Sequence, residues 1–262
     1  MSSSKSHSRR PWWSTLGIYA GLSLAAFIMV VPLLFSFVTA FKSPQDFASH
    51  SPFALPSPPS LASFQAILTG RVNFADAIIT TLLMVVVMVV GQLVSSVLAA
   101  YAFARIEFPG REVIFWLFLG TMMIPASVLV IPLYLMMAKM GLNNTFWGIV
   151  LPFVFASPYA VFLLRQSFRQ IPQEIIDAAT MDGAGQMRIL FSIVVPVSKP
   201  IISTLVLITV VSQWNSFMWP RIIAATRPRV LTVATAALQS QYNANWTYVM
   251  AATTIALVPL IA

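Results

Sequence analysis

Long apolar runs alternate along this chain with short polar intervals. Windows free of Asp, Glu, Lys, Arg and His run over Pro11–Phe41, Ala77–Ala104, Val113–Ala138, Met140–Leu164, Pro200–Pro220 and Val230–Ala262. Each is about as long as the ~20 residues a helix needs to cross a bilayer core. The last window opens on Gln239, Gln241, Asn243 and Asn245, so its span is expected to begin near Trp246. The pattern predicts an all-α integral membrane protein with six transmembrane helices. Backbone groups in lipid must bond within their own segment, which requires helices, and the period-two alternation of a barrel is absent. Trp246–Ala262 is short for a span, so that helix is expected either to tilt into a partner or, the favoured reading, to continue beyond Ala262.

The organisation that follows is an N-terminal segment 1–14, a first span 15–41, an intervening loop 42–76, and a core 77–262 carrying a polar island at 165–200. The loop 42–76 contains Pro52, Pro56, Pro58 and Pro59, which stiffen it. Phe64, Ile67 and Leu68 have the spacing of a short interfacial helix. Pro109-Gly110 marks a sharp turn, Gly141–Asn144 a tight one, and Arg221–Gln241 a second sizeable extramembrane segment. Pro125 and Pro132 are expected to interrupt the third span, either as a simple kink, the favoured reading, or as the border of a solute path.

The island reads RQSFRQIPQEIIDAATMDGAGQMRILFSIVVPVSKP. Pro172 stands where a first helical turn begins and its missing N–H costs nothing. Glu174 and Asp177 follow near the positive end of the helix dipole. Gly183 and Gly185 supply a stop and a turn, and a second helix over Gln186–Val195 runs into Pro196. The pattern predicts a two-helix hairpin between spans.

Composition sharpens this picture. Charged residues are 8% and hydrophobic residues 58% of the chain, against about 25% charged in soluble domains. With no cysteine, disulfides, thiolate nucleophiles and cysteine metal sites are excluded. His7 and His50 lie in loops, so a histidine-centred active site is not expected, and Met84, Met88, Met122, Met123, Met136 and Met137 are read as gap-filling packing rather than a metal path. No phosphate-cradling glycine loop is present. The net charge of +8 reflects basic residues flanking spans rather than nucleic-acid binding, since no basic run exceeds Arg9-Arg10. The uncharged stretch after Arg10 is too long for a signal peptide and is read as a span. With the N-terminus in the cytosol, that side holds Lys5, Arg9, Arg10, Arg105, Arg111, Arg165, Arg169, Arg188 and Lys199. The outer side holds Lys42, Arg71, Lys139, Arg221, Arg227 and Arg229, a modest positive-inside bias. Charge-free spans argue against a proton- or sodium-driven transporter, which needs intramembrane ionisable groups.

The island also carries a resemblance. Asp177-Ala178-Ala179, Gly183, Ile193 and Val195-Pro196 have the spacing of the "EAA" loop of binding-protein-dependent ABC importer permeases, with Asp177 for the usual Glu and Val195 for the usual Leu. From about Lys42 to Ala262 the chain resembles carbohydrate-type permeases related to the smaller membrane subunit of the maltose importer. The segments are Ala99–Arg105 with Phe108–Arg111, Met122–Pro125 with Ile131–Tyr134, Gly141–Thr145, and Trp214–Pro220. Thr80-Thr81 stands where the family often has Asn-Ser.

The resemblance implies the type I ABC importer permease fold with a cytosolic coupling helix, in a prokaryotic inner membrane. It implies a heterodimer with a second permease, two ATPase subunits that carry the ATP and Mg, and an extracytoplasmic solute-binding protein. This chain would be non-catalytic and need no cofactor of its own. The coupling residues it implies are Glu174, Asp177, Ala178, Ala179, Met181, Asp182 and Gly183, with Ala178 and Ala179 seated in an ATPase groove and Gly183 ending the helix in a conformation with little room for a Cβ. The implied cargo is a sugar or sugar-like solute. Alternatives are glycerol phosphate or a glycerophosphodiester on the same machinery, with Arg221, Arg227 and Arg229 facing the anion; a stand-alone secondary transporter or channel; and a membrane enzyme, for which no catalytic constellation exists. Gln213, Trp214 and Asn215, with Tyr242, Asn245 and Trp246 as a weaker group, fit either a sugar path built from aromatic and amide groups or an interfacial aromatic belt; Trp12-Trp13 reads as belt.

Overall fold

The computed structural model describes residues 12–70, 73–241 and 245–261. Lys5, His7, Arg9, Arg10, Arg71, Tyr242 and Asn243 lie outside the described residues, as do the side chains of Trp12, Gln239 and Gln241. Among the described residues every regular element is helical. They are α1 (Trp12–Ala40), α2 (Pro44–Ser49), α3 (Ala62–Thr69), α4 (Phe74–Arg105), α5 (Arg111–Gly120), α6 (Ala126–Lys139), α7 (Phe146–Val150), α8 (Pro158–Arg169), α9 (Gln173–Met181), α10 (Gln186–Ile189), α11 (Val195–Val197), α12 (Lys199–Trp214), α13 (Met218–Ile223), α14 (Leu231–Gln241) and α15 (Trp246–Ile261). The chain divides into two compact units, one of Met1–Val72 with Ala237–Ala262 and one of Asn73–Ala236.

In the first unit α15 packs on α1 and on α3. The Ser63 hydroxyl donates to Thr247 Oγ1 at 3.1 Å between two buried side chains. The expected short helix at Phe64–Leu68 is α3, with Ile67 buried and Leu68 exposed. Lys42 is fully buried. Its ammonium donates to the carbonyls of Ser51 (3.3 Å) and Pro52 (2.9 Å), so it tethers the Pro-rich loop and is not a surface charge.

In the second unit α4 is the central element, with α8 and α12 packed on it. Among the described residues only α1 and α4 are unbroken helices long and apolar enough to cross a membrane; three further helix pairs reach that length and apolarity together but are bent at a break. The third window breaks by 99° between Met123 and Ala126. Pro125 causes this: it drives Ile124 into the extended region (φ −83°, ψ 117°). Pro132, also expected to interrupt this span, sits inside α6 without breaking it. The fourth window breaks by 41° between Phe153 and Pro158. The fifth ends at Trp214 rather than Pro220, because Asn215 caps it with backbone N–H (3.2 Å) and side-chain amide (2.8 Å) on the Val211 carbonyl. Arg221–Gln241 is not a plain loop, since it holds part of α13 and all of α14. Of the methionines read as packing, Met84, Met88 and Met137 are buried, whereas Met122, Met123 and Met136 are exposed.

Candidate functional site

The polar island folds as the predicted hairpin. Pro172 is the N-cap of α9, and Glu174 lies in its first turn. At the other end Gly183 adopts φ +79°. Its N–H donates to the Thr180 carbonyl and the Ala184 N–H to the Ala179 carbonyl, both at 3.0 Å. These two bonds form a Schellman cap, which needs a left-handed residue at this place. No neighbouring atom lies within 4 Å of a Cβ built on Gly183. The requirement for glycine is therefore one of backbone conformation, as expected, and it does not come from neighbouring atoms, since the space around it is open.

The second arm is longer than expected. It continues past Val195 and through Pro196 to Val197. Leu190–Val194 is a π-helical turn in which the Val195 N–H reaches the Leu190 carbonyl. A proline ring crowds the carbonyl four residues earlier, and the wider turn removes that crowding. At Ser198 the chain turns by 80° into α12.

The hairpin is anchored to its own bundle. Ile171, Ile176, Ile189 and Leu190 are buried in one apolar cluster with Val97, Tyr101, Phe115, Leu164 and Phe168. Arg105, the last residue of α4, spans the junction: its guanidinium donates to Gln173 Oε1 (2.7 Å), the Phe168 carbonyl (2.5 Å) and the Ile171 carbonyl. The Phe168 carbonyl lies in the last turn of α8, where a cation is favoured, and the Ile171 carbonyl lies in the link just beyond it. The Tyr101 hydroxyl donates to Gln186 Oε1 at 2.6 Å, fixing the second arm. One turn deeper, the buried Arg165 donates to the Phe103 carbonyl at 3.1 Å, pairs with Glu112, and stacks 3.9 Å over the Phe115 ring. Sequence reasoning missed Tyr101, Arg105, Glu112 and Arg165 because their partners lie between 53 and 85 residues away. The available signal was a cation closing a long apolar helix just before a turn.

The outward side of α9 carries Glu174, Asp177, Ala178, Met181 and Asp182, all exposed. Met181 is 87% exposed, and Ile175 and Met187 are also open. The Gln173 amide donates to Asp177 Oδ1 at 2.9 Å, which leaves that carboxylate at the surface. Ala179 departs from this face: it is half-buried against the chain's own apolar cluster. The seven residues therefore separate into an outward set and one inward packing residue, with Gly183 as the cap between the arms.

The other candidates each have their own surroundings. Gln213 borders a cavity between α4, α8 and α12. Trp214 is buried in the second unit, and Asn215 is the cap of α12. Asn245 belongs to the first unit, where its Oδ1 accepts from Thr247 Oγ1 (2.8 Å) and the Thr247 N–H (3.3 Å) at the start of α15.

Residues 92–262 match the family model described as "binding-protein-dependent transport system inner membrane component". Among curated relatives, the diacetylchitobiose uptake system permease protein NgcG of Streptomyces coelicolor is 30% identical, over 93% of this chain and 81% of that protein. The sn-glycerol-3-phosphate transport system permease protein UgpE of Yersinia pestis is 31% identical, over 91% of this chain and 87% of that protein. A solved bacterial ABC transporter involved in the import of the acidic polysaccharide alginate shares the fold, with a TM-score of 0.82 at 24% identity over 97% of this chain and 95% of that one. On the family match and the near full-length relatives, this chain belongs to the binding-protein-dependent transport system inner membrane components, the permeases of ABC importers.

Proposed function

We propose that this chain is one of two permease subunits of an ATP-driven importer that carries a sugar or sugar-like solute inward by alternating access. The observation that carries the reading is the exposed face of α9 on a hairpin locked to the ends of α4 and α8. A solvent-facing helix with apolar Ile175, Ala178 and Met181 and acidic Glu174, Asp177 and Asp182 is suited to seat in a groove of an ATPase subunit. Its rigid attachment means that a pull on it moves α4 and α8 rather than only the loop.

The hairpin and N-terminus then face the cytosol, and 42–76 and 221–241 face outward to receive a solute-binding protein. A second permease completes the pathway, and two ATPase subunits bind the ATP and Mg. The membrane is the prokaryotic inner membrane, and this chain performs no catalysis itself. The saccharide-named relative and the absence of charge in the windows support a neutral cargo, whereas the glycerol-phosphate-named relative keeps a phosphorylated cargo as the second reading.

The experiment is reconstitution in proteoliposomes with and without the partner subunits. The reading expects uptake only with ATP, both permeases, the ATPases and the binding protein. Uptake by this chain alone on a proton or sodium gradient contradicts it.

A further inference from the structure

The fourth crossing is interrupted near the middle of α4, and α4 repairs the interruption. Gln92 donates from its amide to the Phe153 carbonyl at 2.5 Å. Ser96 Oγ accepts the Ser157 N–H at 3.2 Å. These are backbone groups that a helix break leaves without partners, and in a membrane they must find them within the protein. Gly91 makes the approach possible, since a Cβ there would overlap the side chain and carbonyl of Val154. Beside the break lies a cavity of about 380 Å³, lined by both α8 and α12. Its polar lining is Gln92, Ser157, Tyr159, Thr209, Ser212 and Gln213, and no charged side chain lines it. Thr209, Ser212 and Gln213 recur at three- and four-residue steps, so they share one face of α12.

We propose that this cavity is a binding station of this chain for a neutral, polyhydroxylated solute, and that it does not accept a phosphorylated one. The inference rests on the importer reading above and narrows its cargo. Hydroxyl and amide side chains both donate and accept, as a sugar hydroxyl does. The Tyr159 ring, 41% exposed, adds an apolar face. A phosphate carries one to two full charges, and at this depth it needs a cation, because an unpaired buried charge is costly. None is offered: the lining has no Lys or Arg, the Ser157 N–H is taken by Ser96, and the remaining first-turn N–H groups of α8, on Tyr159 and Ala160, supply only the fractional charge of a helix end.

The test uses the complete complex in proteoliposomes, with labelled N,N′-diacetylchitobiose, arabinotriose and sn-glycerol 3-phosphate as probes at sub-saturating concentration. The variants are Gln213→Leu and the near-isosteric Thr209→Val, which preserves packing. The expected result is uptake of a neutral probe that falls about tenfold in each variant, the effect of leaving one solute hydroxyl unpaired. ATP hydrolysis stimulated by the binding protein persists. Three results overturn the proposal while leaving the importer reading intact, provided that stimulated hydrolysis is seen: neutral uptake indifferent to both variants, uptake confined to glycerol phosphate, or no uptake of either neutral probe. Absence of stimulated hydrolysis in the unaltered complex overturns the importer reading as well.

Discussion

Replacing Gly183 isolates the backbone requirement of the hairpin from its contacts. The residue sits at φ +79° and a Cβ added to it meets no neighbour within 4 Å, so Ala, Asn and Val are compared chiefly by their tolerance of the left-handed conformation. For Ala that conformation costs about 1–2 kcal/mol. Asn tolerates it far better, and a β-branched Val is the worst of the three. α9 is nine residues long, too short to hold itself as an isolated helix, so its C-terminal cap contributes directly to its order. A loss of 1–2 kcal/mol changes the closed-to-open ratio by a factor of about 5–30. The assay is native-state hydrogen exchange at the Gly183 and Ala184 amides, which close the cap on Thr180 and Ala179. Exchange is expected to accelerate by about 5–30-fold in Gly183→Ala, less in Gly183→Asn and more in Gly183→Val, with solute carried per ATP falling in the same order. Equal exchange in Asn and Val, or no change in Ala, refutes the reasoning, because a clash-free site then has no left-handed requirement to violate.

Arg105→Gln removes a cation from three acceptors at the α8–α9 junction; because the side chain is half-exposed, the loss is about 1–3 kcal/mol rather than the sum of three bonds, read as a lower thermal midpoint with membrane insertion unchanged. Gly91→Ala drives a Cβ into the Val154 backbone beside the break in the fourth crossing and is expected to cost about 1–3 kcal/mol by overpacking, measured by thermal unfolding in detergent; an unchanged midpoint contradicts the close approach of α4 to the break.

The parts of this architecture set by local chemistry were legible in the sequence. Pro172 and Gly183 bound α9 as read, because a residue without an N–H and a left-handed stop act on their own turn. The island's position between apolar windows also held. The break of the third window was legible at Pro125 but not at Pro132, and the interruption of the fourth window was less legible. Hydropathy registers compatibility with lipid, which continues through a break, and the polar groups that make the fourth break tolerable sit 61 residues earlier, on α4. Gln92 was the available signal, as the lone amide in the window Ala77–Ala104. The inward turn of Ala179 was hidden for a related reason: Ala178 and Ala179 are equivalent in composition, and only the helix phase set by buried Ile176 and the cap at Ala184 separates them. Trp214 fits a solute path or an interfacial belt by its amphipathic ring alone, and its burial within this chain was not legible from its neighbours in the sequence.

The central claim is that the outward face of α9 seats on an ATPase subunit, and cysteine cross-linking measures it most directly. The chain contains no cysteine, so single substitutions Ala178→Cys, Met181→Cys and Ala179→Cys can be compared in the assembled complex without background. The account predicts ATP-sensitive cross-links to the ATPase from positions 178 and 181, and little from 179, which packs inward. Efficient cross-linking from 179 alone, or none from 178 and 181 in a complex that hydrolyses ATP, would contradict it.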